Sequence, residues 1–173
     1  MTFTDAVRTC FRKYFTFSGR ASRPEYWWFM LFLFLGSIVA SILDGLFFGT
    51  GRMEQEVTDT SVMFSAGSDG GPVAALFGLA TLIPSISAGW RRMHDTGRSG
   101  LYLFYPLIVM IGIGLALGFL MSIGEIGGVI LGLAAIVFLI SPLLVLWWLT
   151  RPSEPGDNKY GPNPRDVRAV EAR

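Results

Sequence analysis

Charge is what this sequence most conspicuously lacks. Asp, Glu, Lys and Arg make up 16% of its 173 residues, while 51% are hydrophobic. Soluble domains carry roughly 25% charged residues, so the shortfall points to a membrane. Metal-binding and redox residues are nearly absent too: the chain has one cysteine, Cys10, and one histidine, His94. A lone cysteine excludes an intrachain disulfide. One Cys and one His cannot supply the three or four ligands of a usual His/Cys metal site, and no metal or cofactor is expected. The formal net charge of +1 provides no broad field for nucleic acid. A cleaved signal peptide is not expected either, because the first apolar run starts only at Tyr26 and is as long as a full membrane span.

What the sequence does have is length of hydrophobic run. A transmembrane helix needs roughly 20 mostly apolar residues, and four stretches qualify, at about 26–48, 73–90, 101–123 and 127–149. They are too long, and too rich in Gly, Leu and Ile, for the alternating strands of a membrane barrel. The expected fold is an all-α integral membrane protein with four transmembrane helices. Residues 1–25 form an amphipathic segment before the four-helix domain (26–149), and 150–173 form a tail after it.

The flanks set the orientation. Thirteen of the fourteen Lys and Arg residues fall before the first span, between the second and third, or after the fourth; Arg52 is the exception. The positive-inside rule assigns that side to the cytoplasm, with both termini inside. All five tryptophans, Trp27, Trp28, Trp90, Trp147 and Trp148, sit at the same boundary, as an interfacial aromatic belt does.

Before the first span, Phe3, Val7, Cys10, Tyr14 and Phe17 recur at helical spacing and form one apolar stripe, with Arg8 and Arg12 on another face. Thr2 followed by Asp5 offers a capping start. Such a helix either lies on the inner leaflet or packs on the cytoplasmic ends of the spans. The Gly/Ser/Thr/acid-rich stretch from Gly49 to Gly71 reads as a flexible exposed loop, with a small lid as the alternative.

Within the spans, Gly114 and Gly118, and Gly124, Gly128 and Gly132, recur every four residues. This spacing lets helix backbones approach closely, inside one bundle or between copies in a homo-oligomer. Pro84, Pro106 and Pro142 share a layer about five to seven residues from the cytoplasmic ends, with Ser85, Ser87, Tyr105 and Ser141 as polar neighbours. Pro84 and Pro142 free the carbonyls of Ala80 and Phe138, which nearby serines can satisfy. The layer is either a set of locally repaired kinks or a shallow cytoplasm-facing cavity. Asp44 is the one acidic candidate in a span, near its outer end. The lack of midplane ionisable groups argues against ion-coupled transport.

Three polar motifs flank the spans: "FSGRASRPEYWWF" (17–29), "RRMHDTGRSG" (91–100) and "PGDNKYGPNP" (155–164). Together with the span pattern they resemble the domain of unknown function 805 family of bacterial inner-membrane proteins, over residues 15 to 164. The matching positions are Gly19, Arg20, Ser22, Arg23, Glu25, Tyr26 and Trp27; Arg92, His94, Asp95, Gly97, Ser99 and Gly100; and Asn158, Tyr160, Gly161 and Pro164. Met93, and Leu101 with Tyr102, depart mildly from the family pattern. The resemblance implies a bacterial inner membrane and no assigned activity.

The residues themselves allow three readings. Arg20, Arg23, Arg91, Arg92 and Arg98 can converge with Glu25, Asp95 and Asp157 as a cytoplasmic cap that locks helix ends together. The same groups, with His94, Ser99, Asn158 and Tyr160, suit an anion, above all a phospholipid headgroup, or a membrane partner protein. The expected role is therefore non-enzymatic, with membrane lipids as partners. One alternative is a small-solute transport component using the Pro/Ser layer. The other is a membrane-bound hydrolase: Asp95-Thr96-Gly97 echoes aspartic proteases, which need two aspartates, and Ser99 with His94 would need hydrogen-bond contact.

Overall fold

A computed structural model describes residues 1–49, 54–58, 61–65, 71–121, 125–164 and 166. Five α-helices carry it: α1 (Phe3–Arg12), α2 (Arg23–Phe48), α3 (Pro72–Asp95), α4 (Tyr105–Met121) and α5 (Glu125–Thr150). A 3-10 turn, Gly100–Phe104, leads into α4. Between α2 and α3, where the sequence reads as an open loop, β1 (Glu54–Thr58) pairs antiparallel with β2 (Ser61–Ser65), Glu54 opposite Ser65.

Among the described residues, three helical stretches are long and apolar enough to cross a membrane, Arg23–Phe48, Pro72–Asp95 and Gly132–Thr150; a shorter apolar one covers Gly100–Ala116. Their outer surfaces are apolar: Leu46, Leu79 and Leu115 are all well exposed, as suits side chains solvated by lipid. The helices pair as α2 with α3 and α4 with α5. Gly114 and Gly132 face open space in the chain, with nothing within 4 Å of a built Cβ, so these two are not points of close backbone approach. Gly124 lies outside the described residues.

Local chemistry explains the helix ends. Thr2 and Asp5 form a capping box: the Thr2 Oγ1 accepts from the Asp5 amide at 3.2 Å, and the Thr2 amide donates back to Asp5 Oδ2 at 3.1 Å. Pro24 and Pro72 occupy first-turn positions of α2 and α3, where a missing N–H costs nothing. At the start of α3, Asp44 reaches across from α2. Its two carboxylate oxygens accept the Val73 and Ala74 amides at 2.9 and 2.8 Å. The single acid of the first span is thus a helix cap supplied in trans. Asp44→Ala is expected to cost about 1–2 kcal/mol, read as a fall in the thermal unfolding midpoint of the detergent-purified protein. An unchanged midpoint would contradict the assignment.

The α3 motif RRMHD reads as loop because it is polar, yet it is helical. Residues 91–95 form the last turn of α3, which ends in a Schellman motif: the Arg98 amide reaches the Met93 carbonyl at 3.0 Å and the Gly97 amide reaches that of His94 at 3.1 Å. Gly97 takes the left-handed turn at φ 75°. Gly100 is required for a different reason: a Cβ there would stand 2.0 Å from Trp90 Cδ2.

The buried core sits at the end of the molecule where α3 and α5 finish and α2 begins. Cys10, Tyr26, Phe29, Ala88, Met93, Val145 and Leu149 form it. Of the two readings for α1, packing is what the structure shows: Ala6 and Cys10 are fully buried, and Phe11 meets Phe29 and Phe32 edge-on at 5.7 and 5.8 Å. Both carbonyls freed by proline are satisfied. Ser141 Oγ donates to Phe138 O at 2.8 Å, and Tyr14 of the segment after α1 donates to Ala80 O at 2.9 Å.

Candidate functional site

The last turn of α3 is a hub, because its side chains leave the helix in different directions and each finds a different segment. Arg91 points to α2 and pairs with Glu25 Oε1 at 2.5 Å. Arg92 points to the end of α5: its Nε donates to Leu149 O at 2.9 Å and its Nη2 to Arg151 O. Those carbonyls belong to a helix C-terminus with no intrahelical donors left, and a guanidinium supplies both hydrogen bonds and compensating charge.

Asp95 holds the centre. Its Oδ1 accepts Arg20 Nε at 3.0 Å, and its Oδ2 accepts Arg92 Nη1 at 2.5 Å and Ser153 Oγ at 2.6 Å. Its backbone carbonyl takes the Glu154 amide at 2.9 Å. A carboxylate at a helix C-terminus opposes the macrodipole, and two guanidiniums offset that. Arg20 then spans to the tail, donating to Gly156 O at 2.7 Å and Glu154 O at 2.6 Å. All three ion-paired side chains of this group are fully buried.

His94 completes the connection. Its Nδ1 lies 3.1 Å from Gly19 O, and its ring stacks on Tyr160 with centroids 3.8 Å apart and planes within 3°. Asn158 Nδ2 donates to His94 O at 3.0 Å and to Glu154 Oε2 at 2.8 Å. The Ala21 amide donates to Arg91 O at 3.0 Å. All three polar motifs therefore meet around one helix turn.

Other residues singled out by the sequence lie elsewhere. Arg23 sits at the start of α2 with no side-chain hydrogen bond or ion pair among the described residues, and it lines a cavity of about 490 Å³ with Pro24, Trp27, Trp28 and Leu31. Arg98 lies over the Trp148 ring at 5.1 Å and donates to Thr96 O. Ser99 caps the 3-10 turn through Leu101 N at 3.4 Å. His94 Nδ1 is engaged with Gly19 and Ser99 with Leu101, so no Ser–His pair forms from these contacts. Asp157 is exposed. In the proline layer the hydroxyls are spent on carbonyls: Ser85 on Leu82, Ser87 on Lys13 and Thr16, Ser141 on Phe138; Tyr105 begins α4, half-buried.

Two further features bear on chemistry. Arg91 Nε and Nη2 and Ser22 Oγ are buried with no hydrogen-bond partner among the described residues, a state that costs about 1–3 kcal/mol per group. Cys10 lies beside this pair; burial pushes its thiol up to about 11, reinforced by Glu25, so at neutral pH it is a packed thiol and no nucleophile. Ser153, Glu154 and Asp44 had no motif around them to announce their roles.

The model of one protein family, "Protein of unknown function (DUF805)", matches residues 14–162. The inner membrane protein YhaH of Escherichia coli (strain K12) is 25% identical over 154 residues, covering 89% of this chain and 91% of that protein. The inner membrane protein YhaI of the same strain is 33% identical over 100 residues, 56% of this chain and 69% of that one. No solved structure matches. The chain belongs to the DUF805 family.

Proposed function

We propose that this DUF805 member is a four-span inner-membrane protein with both ends in the cytoplasm, whose buried cap is a structural clamp and whose lipid contact lies beside it at Arg23. Support for the orientation comes from charge and geometry together. The basic flanks and all five tryptophans belong to one side by the positive-inside rule, and the cap joins residues 19–25, 91–95 and 149–161 at one end of the helices.

The cap reading follows from its donors. Arg20 and Arg92 spend theirs on Asp95 and on backbone carbonyls, and Arg91 pairs with Glu25. These guanidiniums are buried, and Arg20 and Arg92 hold chain ends together. The chemistry of lipid recognition instead falls on Arg23, the observation that carries this proposal. Its side chain, unpaired among the described residues, lines an open, largely apolar slot together with Trp27, Trp28 and Leu31. A cation beside aromatic and aliphatic side chains suits an anionic headgroup and the start of its acyl chain.

Native mass spectrometry of the purified protein tests this. Arg23→Gln should reduce retained phosphatidylglycerol about fivefold, the factor for ~1 kcal/mol per interfacial cation, and leave phosphatidylethanolamine unchanged. Equal retention of phosphatidylglycerol by both proteins would sink the assignment.

A further inference from the structure

A second cavity lies on the opposite side of α1 from the packed aromatic stripe. Its volume is about 560 Å³, within the range of small-ligand sites. One wall is the polar edge of α1, with Asp5, Arg12 and Lys13; the floor carries Arg20 and Glu25; the tail around Pro162 closes the far side.

The charges of this cleft do not balance. Asp5 is committed to its own helix start, accepting from the Thr2 amide and hydroxyl at 3.1 and 2.7 Å. Arg12 and Lys13 make no side-chain hydrogen bond or ion pair among the described residues. Among the described residues the imbalance continues beneath the floor: three buried guanidiniums, Arg20, Arg91 and Arg92, face two buried carboxylates, Glu25 and Asp95. Asp95 serves two of the arginines, and Arg91, fully buried behind Glu25, keeps two nitrogens without an acceptor among the described residues. A buried excess of positive charge is costly unless paired, and a cleft above it with two free cations on its rim is where an anion relieves it.

We propose that the cleft between α1 and the tail binds a phosphate-bearing anion, held by Arg12 and Lys13 at its rim and favoured by the net positive cap below. The phosphate belongs either to a soluble compound or to a headgroup reaching in from the inner leaflet. This site is independent of the Arg23 slot: it has no residue in common with it, so either can fail alone.

The test is isothermal titration of the full-length protein in neutral detergent with inorganic pyrophosphate. Saturable one-to-one binding is expected, weakened at least fivefold by Arg12→Gln and by Lys13→Gln. Arg8→Gln, which removes the same charge from an exposed position of α1 outside the cleft, should leave binding intact. Absence of saturable binding to the unmodified protein overturns the proposal, as does an equal loss in all three variants, which marks nonspecific attraction. Repeating the titration in nanodiscs identifies the source. Binding in phosphatidylcholine discs that is abolished by added phosphatidylglycerol means a headgroup occupies the site; binding that persists in both means a soluble phosphate compound.

Discussion

Asp95→Ala lowers the thermal unfolding midpoint by about 10 °C. The carboxylate is the shared acceptor of Arg20, Arg92 and Ser153, and it is fully buried. Removing one partner of a buried ion pair costs about 3–5 kcal/mol, because the remaining charge is stranded away from water. Here the deletion strands two guanidiniums in one step. At 2–4 °C per kcal/mol for a chain of this size, a fall of about 10 °C follows. Asp95→Asn keeps the shape and one acceptor oxygen but loses the charge, so it should fall between wild type and alanine. Ser153→Ala removes one neutral donor and should cost about 1 kcal/mol. Scanning fluorimetry in detergent separates the three. An alanine variant no worse than Ser153→Ala would mean that the buried arginines do not depend on this carboxylate.

The second large effect concerns Glu25 and Arg91. Glu25→Gln leaves a fully buried guanidinium without its ion-pair partner, again about 3–5 kcal/mol. The double replacement Glu25→Leu/Arg91→Met should recover most of that loss, because buried ion pairs exchanged whole for apolar side chains of similar volume are often neutral in stability. The orphaned Arg91 nitrogens strengthen the expectation, since the double variant also removes their desolvation cost. Measured as a double-mutant cycle with the single variants Glu25→Leu and Arg91→Met, recovery identifies an electrostatic pairing; a double variant as unstable as the Glu25→Leu single would assign Arg91 a contact that methionine cannot make.

How much of this was legible beforehand depends on the kind of signal. The long apolar helices follow from run length, the α1 stripe from periodicity, and the Thr2–Asp5 box from spacing, because these are local. The convergence of three polar motifs was readable as a possibility, since each flanks a span at one boundary. Which arginine does what was not. Arg20 and Arg23 are three residues apart in the same motif; one is buried against Asp95 and the other lines an open slot. That difference arises where the chain bends into α2, and the bend is set by α3 and the tail. Polarity also misled at residues 91–95, where the side chains are polar because they pair in a buried cap, not because they face water. For the same reason the Ala80 carbonyl is satisfied by Tyr14, 66 positions away in sequence, where a neighbouring serine was expected.

The cap is assembled from segments that leave the ribosome far apart in time. Arg20 emerges early and Asp95 near mid-chain, yet Ser153, Glu154 and Gly156, which finish the hydrogen-bond shell around both, come almost last. Until then the nascent protein has its membrane helices but an open, highly charged end. A chain interrupted before Ser153 keeps the ion pairs of Arg20, Arg91 and Arg92 but lacks the tail hydroxyl and carbonyls that finish the shell around Arg20 and Asp95.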